Sequence, residues 1–330
     1  MGQGGIHGAR STGGTVLSPG GHRARGHSRR RALHPGATNM KSHIAVIGAG
    51  RMGSALVKAF LQQAHPTTVW NRTREKCEPL ATQGARIAAS VKEAVSSAEV
   101  VVVNVNDYDV SDQLLRVDDV TQALRGKLVV QLTSGSPALA REQATWARQH
   151  GIAYLDGAIM GTPDFIGQPE GTLLYAGPKA LFERYQPVLL ALGGNTQHVS
   201  EDEGHASALD SALLFQMWGS LFGILQAVAI ARAEQLSLET LGTFLQATVP
   251  VVDGAERDLM ARIQGNRLSA DAATLASLEV HHIAFKHMLD LCKARGIDRS
   301  LPEAMEGIFQ EALKAGHAPD DFAVLSRFLR

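Results

Sequence analysis

Two runs of side chains and one lone aspartate have the types and placement to do chemistry. The first is Gly48-Ala49-Gly50-Arg51-Met52-Gly53. It follows the apolar run His43–Gly48 and precedes the helix-like run Ser54–Gln63. In that strand–turn–helix setting, Gly48 permits a tight turn and Gly50 lets the backbone approach a pyrophosphate. Gly53 lets helix and strand pack closely. The free N–H groups and positive dipole end of the helix favour phosphate. Arg51 and Met52, inside the turn, join the three glycines as candidate dinucleotide contacts. A glycine-rich turn without a ligand is the weaker alternative.

The second run is Asn71-Arg72-Thr73-Arg74, after the β-branched run Thr67–Trp70. A dinucleotide site for NAD usually has Asp or Glu there, to bind the ribose 2′-hydroxyl. Here no acid occurs before Glu75. Arg72 can grip a 2′-phosphate with its planar fork, and Thr73 can donate a hydroxyl. With Asn71 they form the second half of the candidate site, which predicts NADPH over NADH. The competing reading makes Arg72 and Arg74 a solvated helix start.

The third is Asp210, at the mouth of a strongly apolar helix. Desolvation would raise its pKa, and a carboxyl so placed can hold a cation or relay a proton. Capping that helix is the alternative, although Glu201, Asp202 and Glu203 lie earlier and are better placed.

These residues need elements to hold them. Apolar, β-branched runs occur at His43–Gly48, Thr67–Trp70, Glu99–Asn106, Lys127–Leu132 and Ala153–Ile159, with Thr172–Ala176 as a sixth. Helical stretches separate most of them. This alternation predicts an α/β fold with a parallel sheet buried on both faces. After His198 nearly everything reads as helix, over 204–234, 238–249, 252–264, 271–295, 302–315 and a short final segment. The expected division is a tail over 1–39, a Rossmann domain over 40–202, an inter-domain helix over 203–234 and an all-α domain over 235–330.

No charged residue lies between Ser211 and Ala231. That run is long enough to span a bilayer. Gln216, Ser220 and Gln226 within it, and His205 and Asp210 before it, favour a buried helix instead. A small helical domain offers such a helix few partners, so a second subunit is expected to pack on it.

The chain has 330 residues with 32 basic and 32 acidic side chains. Residues 1–39 hold six arginines and no acid, leaving 26 basic against 32 acidic in the rest. A mildly acidic body gives no reason to expect nucleic-acid binding. The first 39 residues lack the apolar core of a secretory signal. They read as a disordered extension, with the functional chain beginning at Met40. Two isolated cysteines, Cys77 and Cys292, fit a reducing cytoplasm and no disulfide framework. No cluster has zinc-ligand spacing, and the adjacent His281 and His282 would point about 100° apart on a helix. No metal is expected.

Leu132-Thr133-Ser134-Gly135-Ser136-Pro137, Asp156-Gly157-Ala158-Ile159-Met160 and Thr162-Pro163 carry a more specific likeness, together with Ala206–Leu214, Gly316-His317 and Asp320-Asp321-Phe322. From about Met40 onward the chain resembles the imine reductase and reductive aminase family. That family is related to the β-hydroxyacid dehydrogenases within the 6-phosphogluconate dehydrogenase-like superfamily. The resemblance implies NADPH-dependent reduction of cyclic imines or iminium ions, with reductive amination of ketones by amines as a further activity. It implies a homodimer whose subunits exchange helical domains, each active site lying between one subunit's Rossmann domain and the other's helices. It adds Asn104, Thr133 and Ser134 to the cofactor candidates and makes Asp210 and Asn106 the catalytic candidates. Asn106 would bond an amine or carbinolamine nitrogen; a turn residue at the strand end is the alternative. Met160, Met217 and Trp218 are candidates to line a pocket for a small apolar substrate; an ordinary core position is the competing reading for all three. Trp218 stands where part of the family has tyrosine, which removes a hydroxyl.

A β-hydroxyacid dehydrogenase acting on carbonyls and alcohols is the rival. Those enzymes use a lysine early in the inter-domain helix, and this chain has none between Lys179 and Lys286. Where they hold a carboxylate with Ser-Gly-Gly, this chain has Ile159-Met160-Gly161-Thr162.

Overall fold

The computed structural model describes residues 41–329. The expected tail over 1–39 and the start at Met40 lie outside them.

Eight strands form one sheet: β1 Ile44–Ile47, β2 Thr67–Trp70, β3 Arg86–Ile87, β4 Val100–Val103, β5 Leu128–Gln131, β6 Ala153–Met160, β7 Thr172–Ala176 and β8 Asn195–Ser200. The order across the sheet is β3-β2-β1-β4-β5-β6-β7-β8. Every pair is parallel except β6 with β7, which turns the last two strands over. The helices are α1 Arg51–Gln62, α2 Glu78–Ala81, α3 Val91–Ser96, α4 Tyr108–Leu115, α5 Asp118–Leu124, α6 Pro137–Gln149 and α7 Lys179–Leu189. After these come α8 Gly204–Ala233, α9 Leu238–Gln264, α10 Leu278–Arg295 and α11 Ser300–Lys314.

The central strands are apolar throughout because both of their faces are covered. Val100, Val101, Val102 and Val103 of β4 are all fully buried. One face packs against α1, α2 and α7 through Leu56, Phe60, Leu80 and Val188. The other packs against α3, α5 and α6 through Val95, Leu124 and Ala144. Leu155 of β6 sits fully buried in the first cluster.

Four sequence expectations need correction. Strands β3 and β8 were not expected; β3 is two residues long, and β8 is a polar edge strand with no apolar run. The sheet is mixed rather than wholly parallel, because β7 forms an antiparallel pair with β6. The helices expected over 238–249 and 252–264 are one helix, α9, with Pro250 inside it. A proline removes one N–H from a helix 27 residues long without ending it here. The helix expected from 271 starts at Leu278, where Ser277 accepts the Val280 N–H. Asp271 is held in a turn before it, accepting from the Ala273 N–H and from Arg262.

The chain enters α8 through a clamped joint. Arg141 of α6 bonds Asp202 at 2.7 Å, and Arg148 pairs with Glu203. Asp202 in turn accepts the Gly204 N–H at 2.9 Å, so it serves the helix start. Gly204 lies flat against Arg141; a Cβ there would fall 2.6 Å from the guanidinium carbon.

Leu155→Ala leaves a cavity in the larger sheet cluster. It is expected to cost about 2–5 kcal/mol of stability, read as a lower urea midpoint with an unchanged slope.

Candidate active site

The three glycines of the turn after β1 do three different things. Gly48 has φ +111°, and a Cβ on it would lie 2.0 Å from the Asn104 carbonyl oxygen. A Cβ on Gly53 would lie 2.2 Å from the Gly48 oxygen. These two positions bring the ends of β1 and β4 and the start of α1 against one another. At Gly50 a Cβ would meet nothing within 4 Å. That open space beside the first turn of α1 fits a pyrophosphate approaching backbone N–H groups.

A cleft of about 360 Å³ opens there. Its walls bring together Gly48, Gly50, Arg51, Met52, Asn71, Arg72, Thr73, Asn104 and Asn106, all named from sequence. Gly53 lies beneath it, packed on Gly48. Asn71 holds the two halves in register: its Oδ1 accepts the Ala49 N–H at 3.0 Å and its Nδ2 donates to the Thr73 carbonyl at 2.8 Å. Arg72 and Thr73 stand exposed at the rim. The cleft also contains Trp70 and Lys76, which sequence reasoning missed. A short 3-10 turn covers Arg74–Lys76, and Lys76 lines the same cleft as Arg72, so its charge adds to the rim. The signal was a third basic residue within one further turn of Asn71.

Across the cleft, Asn104 Nδ2 donates to the Leu132 carbonyl at 2.7 Å, and Thr133 Oγ1 accepts the Val105 N–H at 3.1 Å. These bonds lock the end of β4 to the end of β5. Thr133 is buried and Ser134 beside it is exposed. Asn106 is exposed on the cleft wall, and Asp107 caps α4 by accepting the Val110 N–H.

Behind this wall lies a buried carboxylate, Asp156 of β6, with no exposed surface. Tyr108 and Tyr154 donate to its Oδ1, and Ser207 of α8 donates to Oδ2 at 2.8 Å. Burial raises its pKa to about 6, and the hydroxyls restrain the rise. Burial and the Asp156 charge push the Tyr108 phenol up as well. The sequence signal was an acid inside an apolar strand.

Asp210 lies one turn beyond Ser207 and is 8% exposed. It is the seventh residue of α8, too far along to cap it. Desolvation raises its pKa, and among the described residues no side chain hydrogen-bonds it. Asp210 is outside the cleft that Asn106 lines, as are Thr133, Ser134, Met160, Met217 and Trp218. Met160 is half-buried at the end of β6. Met217 and Trp218 stand on an uncovered apolar stretch of α8, 43% and 52% exposed.

Residues 43–200 match the family described as the NAD binding domain of 6-phosphogluconate dehydrogenase. Residues 202–330 match the NADPH-dependent reductive aminase-like C-terminal domain. The chain is 31% identical to an NADPH-dependent reductive aminase of Aspergillus oryzae, over 88% of this chain and 98% of that protein. It superposes on an imine reductase from Myxococcus stipitatus in complex with NADP⁺ with a TM-score of 0.85 and 64% identity. That match covers 87% of this chain and all of the other. A reductive aminase from Aspergillus terreus, in complex with NADPH4, cyclohexanone and allyl amine, superposes with a TM-score of 0.79 at 30% identity. It covers 88% of this chain and all of its own.

Arg72→Ala is expected to weaken NADPH binding about 10- to 100-fold, the worth of a lost charge-assisted hydrogen bond. NADH binding should stay within about twofold of wild type. Fluorescence titration of both nucleotides checks this, and equal losses would mean that Arg72 does not read the 2′-phosphate.

Proposed function

Because the chain belongs to the family of NADPH-dependent reductive aminases and imine reductases, we propose that it reduces cyclic imines and iminium ions to amines. In the same site it also joins a ketone to an amine. When bound, NADPH supplies the hydride. Gly48, Gly50 and the start of α1 would hold its pyrophosphate, and Arg72, Thr73 and Lys76 its 2′-phosphate. The observation that carries the chemistry is Asp210, buried and without a hydrogen-bond partner among the described residues.

A neutral imine needs a proton on nitrogen as hydride reaches carbon. Burial keeps Asp210 protonated to higher pH than an ordinary aspartic acid, which suits it to give that proton. Once ionised, the same carboxylate stabilises an iminium cation. Asn106, on the cleft wall, supplies an amide to the amine or carbinolamine nitrogen. The lysine that a hydroxyacid dehydrogenase would use has no counterpart in α8.

The assembly we propose is a homodimer. Helix α8 is long and apolar enough to cross a membrane by length and composition, with a mean hydropathy of 1.7 over its most apolar 18 residues. Its first two turns are instead fastened to the Rossmann unit by Ser207 and the clamp at Asp202. Beyond them Phe215, Trp218, Leu221, Phe222 and Leu225 are each more than half exposed in the single chain. Phe244, Val249, Val251 and Val252 of α9 are likewise uncovered. A second copy that lays its helices on these faces would bury them and bring Met217 and Trp218 toward a shared substrate pocket. Two buried free cysteines suit a reducing cytoplasm.

Asp210→Asn should lower kcat for a pyrroline-type imine about 100-fold or more, with NADPH affinity unchanged. In the wild type, kcat for a neutral imine should fall as pH rises through the raised Asp210 pKa, and the variant should lose that limb. Near-wild-type turnover in Asp210→Asn would sink the acid assignment. A 3-hydroxy acid with NADP⁺, run beside the imine, should show no turnover.

Light scattering should give twice the 35.2 kDa chain mass. Phe222→Asp should shift the protein toward the single-chain mass. A wild-type monomer at micromolar concentration would exclude the dimer.

A further inference from the structure

Three candidates outside the nucleotide cleft have the polar groups to matter. Arg262 is fully buried among Asp258, Asp271 and Asp321, and ties the end of α9 to the loop before α10 and to the C-terminal turn. His282 bonds Glu306 between α10 and α11. Both hold helical segments together and touch nothing that reacts. The third is the cage around Asp156, and it reaches both sides of the proposed chemistry.

We infer that Asp156 is a positioning residue: its carboxylate fixes Ser207, one helical turn before Asp210, to Tyr108, two residues beyond Asn106. The inference rests on the reading of Asp210 as the proton donor. The three hydroxyls come from three different elements. Tyr108 opens α4, Tyr154 lies on β6 beside Asp156, and Ser207 is on α8. Only an acceptor can satisfy three donors at once, and an ionised carboxylate is such an acceptor. With a pKa of about 6, Asp156 is in that form at neutral pH. The Ser207 N–H, in the first turns of α8, faces the same carboxylate, and a helix N-terminus favours negative charge.

The cage has little slack. Tyr108 is 3% exposed, and its ring lies so close to Gly135 that a Cβ there would meet it at 2.4 Å. Tyr108 therefore also braces the Ser134-Gly135 turn. Ser207 is 3% exposed, and its carbonyl accepts from Ser211. Residues three apart on a helix share a face, so the anchor at Ser207 sets the azimuth of Asp210 about the axis of α8. On the other side, Tyr108 fixes where Asn106, in the short loop between β4 and α4, stands. Without the carboxylate, the clamp at Asp202 still holds the end of α8, but its rotation against the cleft wall is no longer fixed. A misplacement of about 1 Å can cost roughly 100-fold in rate.

The test uses full-length protein and compares Ser207→Ala, Ser207→Thr, Asp156→Asn, the double variant Ser207→Ala with Asp156→Asn, and Asp210→Asn. It measures imine kcat and KM, NADPH affinity by fluorescence, and melting temperature. Ser207→Ala is expected to lower kcat about 10-fold or more with NADPH affinity near wild type, and to lower the melting temperature by a few degrees, because a buried carboxylate loses a donor. Ser207→Thr keeps the hydroxyl and should keep most of the turnover. Adding Asp156→Asn to Ser207→Ala should cost little more than the larger single loss, because both cut one link. If Ser207→Thr proves worse than Ser207→Ala, packing rather than the hydrogen bond matters, and the inference falls. If Asp210→Asn is crippled while Ser207→Ala turns over normally, the inference falls alone. If Asp210→Asn turns over normally, the acid reading falls and takes this one with it.

Discussion

Two carbonyl oxygens govern the head of this sheet. The Asn104 oxygen stands where a side chain on Gly48 would be, and the Gly48 oxygen stands where a side chain on Gly53 would be. No residue but glycine fits either place without moving backbone. The contact between β1, β4 and α1 follows from them, and so does the position of the cleft. Strand order reverses between β1 and β4, because β2 and β3 lie to one side and β5 to the other. A crevice must open at such a point, just beyond the strand ends. Gly50 is left facing it with nothing close by, so the same turn that closes the backbone also keeps a place for phosphate.

Helix α8 divides its length between two environments. Gly204, Ala206, Ser207 and Asp210 are buried against the Rossmann unit, while most of the next fifteen residues are exposed. A helix apolar on all sides needs cover on all sides. Asp210 stands at the change from one environment to the other. Its cover comes from its own chain on one side, and in the proposed dimer it would come from the second chain on the other. Further loss of water there would raise its pKa again, so in the proposed dimer assembly and acid strength would be coupled through the same few side chains.

The sheet and the nucleotide turn were legible because each rests on local rules. Runs such as Val100–Val103 can only be buried on both faces, and the glycine spacing has few other uses. The lack of an acid after Trp70 likewise reads directly as a cofactor preference. Other features have no local signature. Strand β8, Asn195–Ser200, is polar, and only its pairing with β7 makes it a strand. Pro250 reads as a stop, but α9 passes through it. Lys76 joins the cleft through the path of a 3-10 turn. The residues of the Asp156 cage are up to 51 positions from it in sequence, so only the fold brings them together.

The cage is one end of a longer buried polar seam, and the seam has consequences for the sheet itself. Gln131 of β5 is the cross-strand neighbour of Asp156. Its amide donates to Ser111 and Gln143, and its oxygen accepts the Thr133 N–H. Gln143 also donates to Asp112, and Tyr154 reaches both Gln143 and Asp156. Tyr154 packs in the cluster formed with α3, α5 and α6, whereas Leu155 packs in the opposite one. Alternation along the strand therefore puts Asp156 on the Tyr154 side. A slip of one residue in β6 would turn the carboxylate into the cluster of Leu173 and Tyr175, where no hydroxyl cage awaits it. The apolar strands could tolerate such a slip, since both of their faces are oily; the polar seam could not. The groups that fix the register of the central strands are thus the same groups that set where the site loops leave them. A seam of buried polar groups at the head of otherwise apolar central strands is best understood as serving both ends.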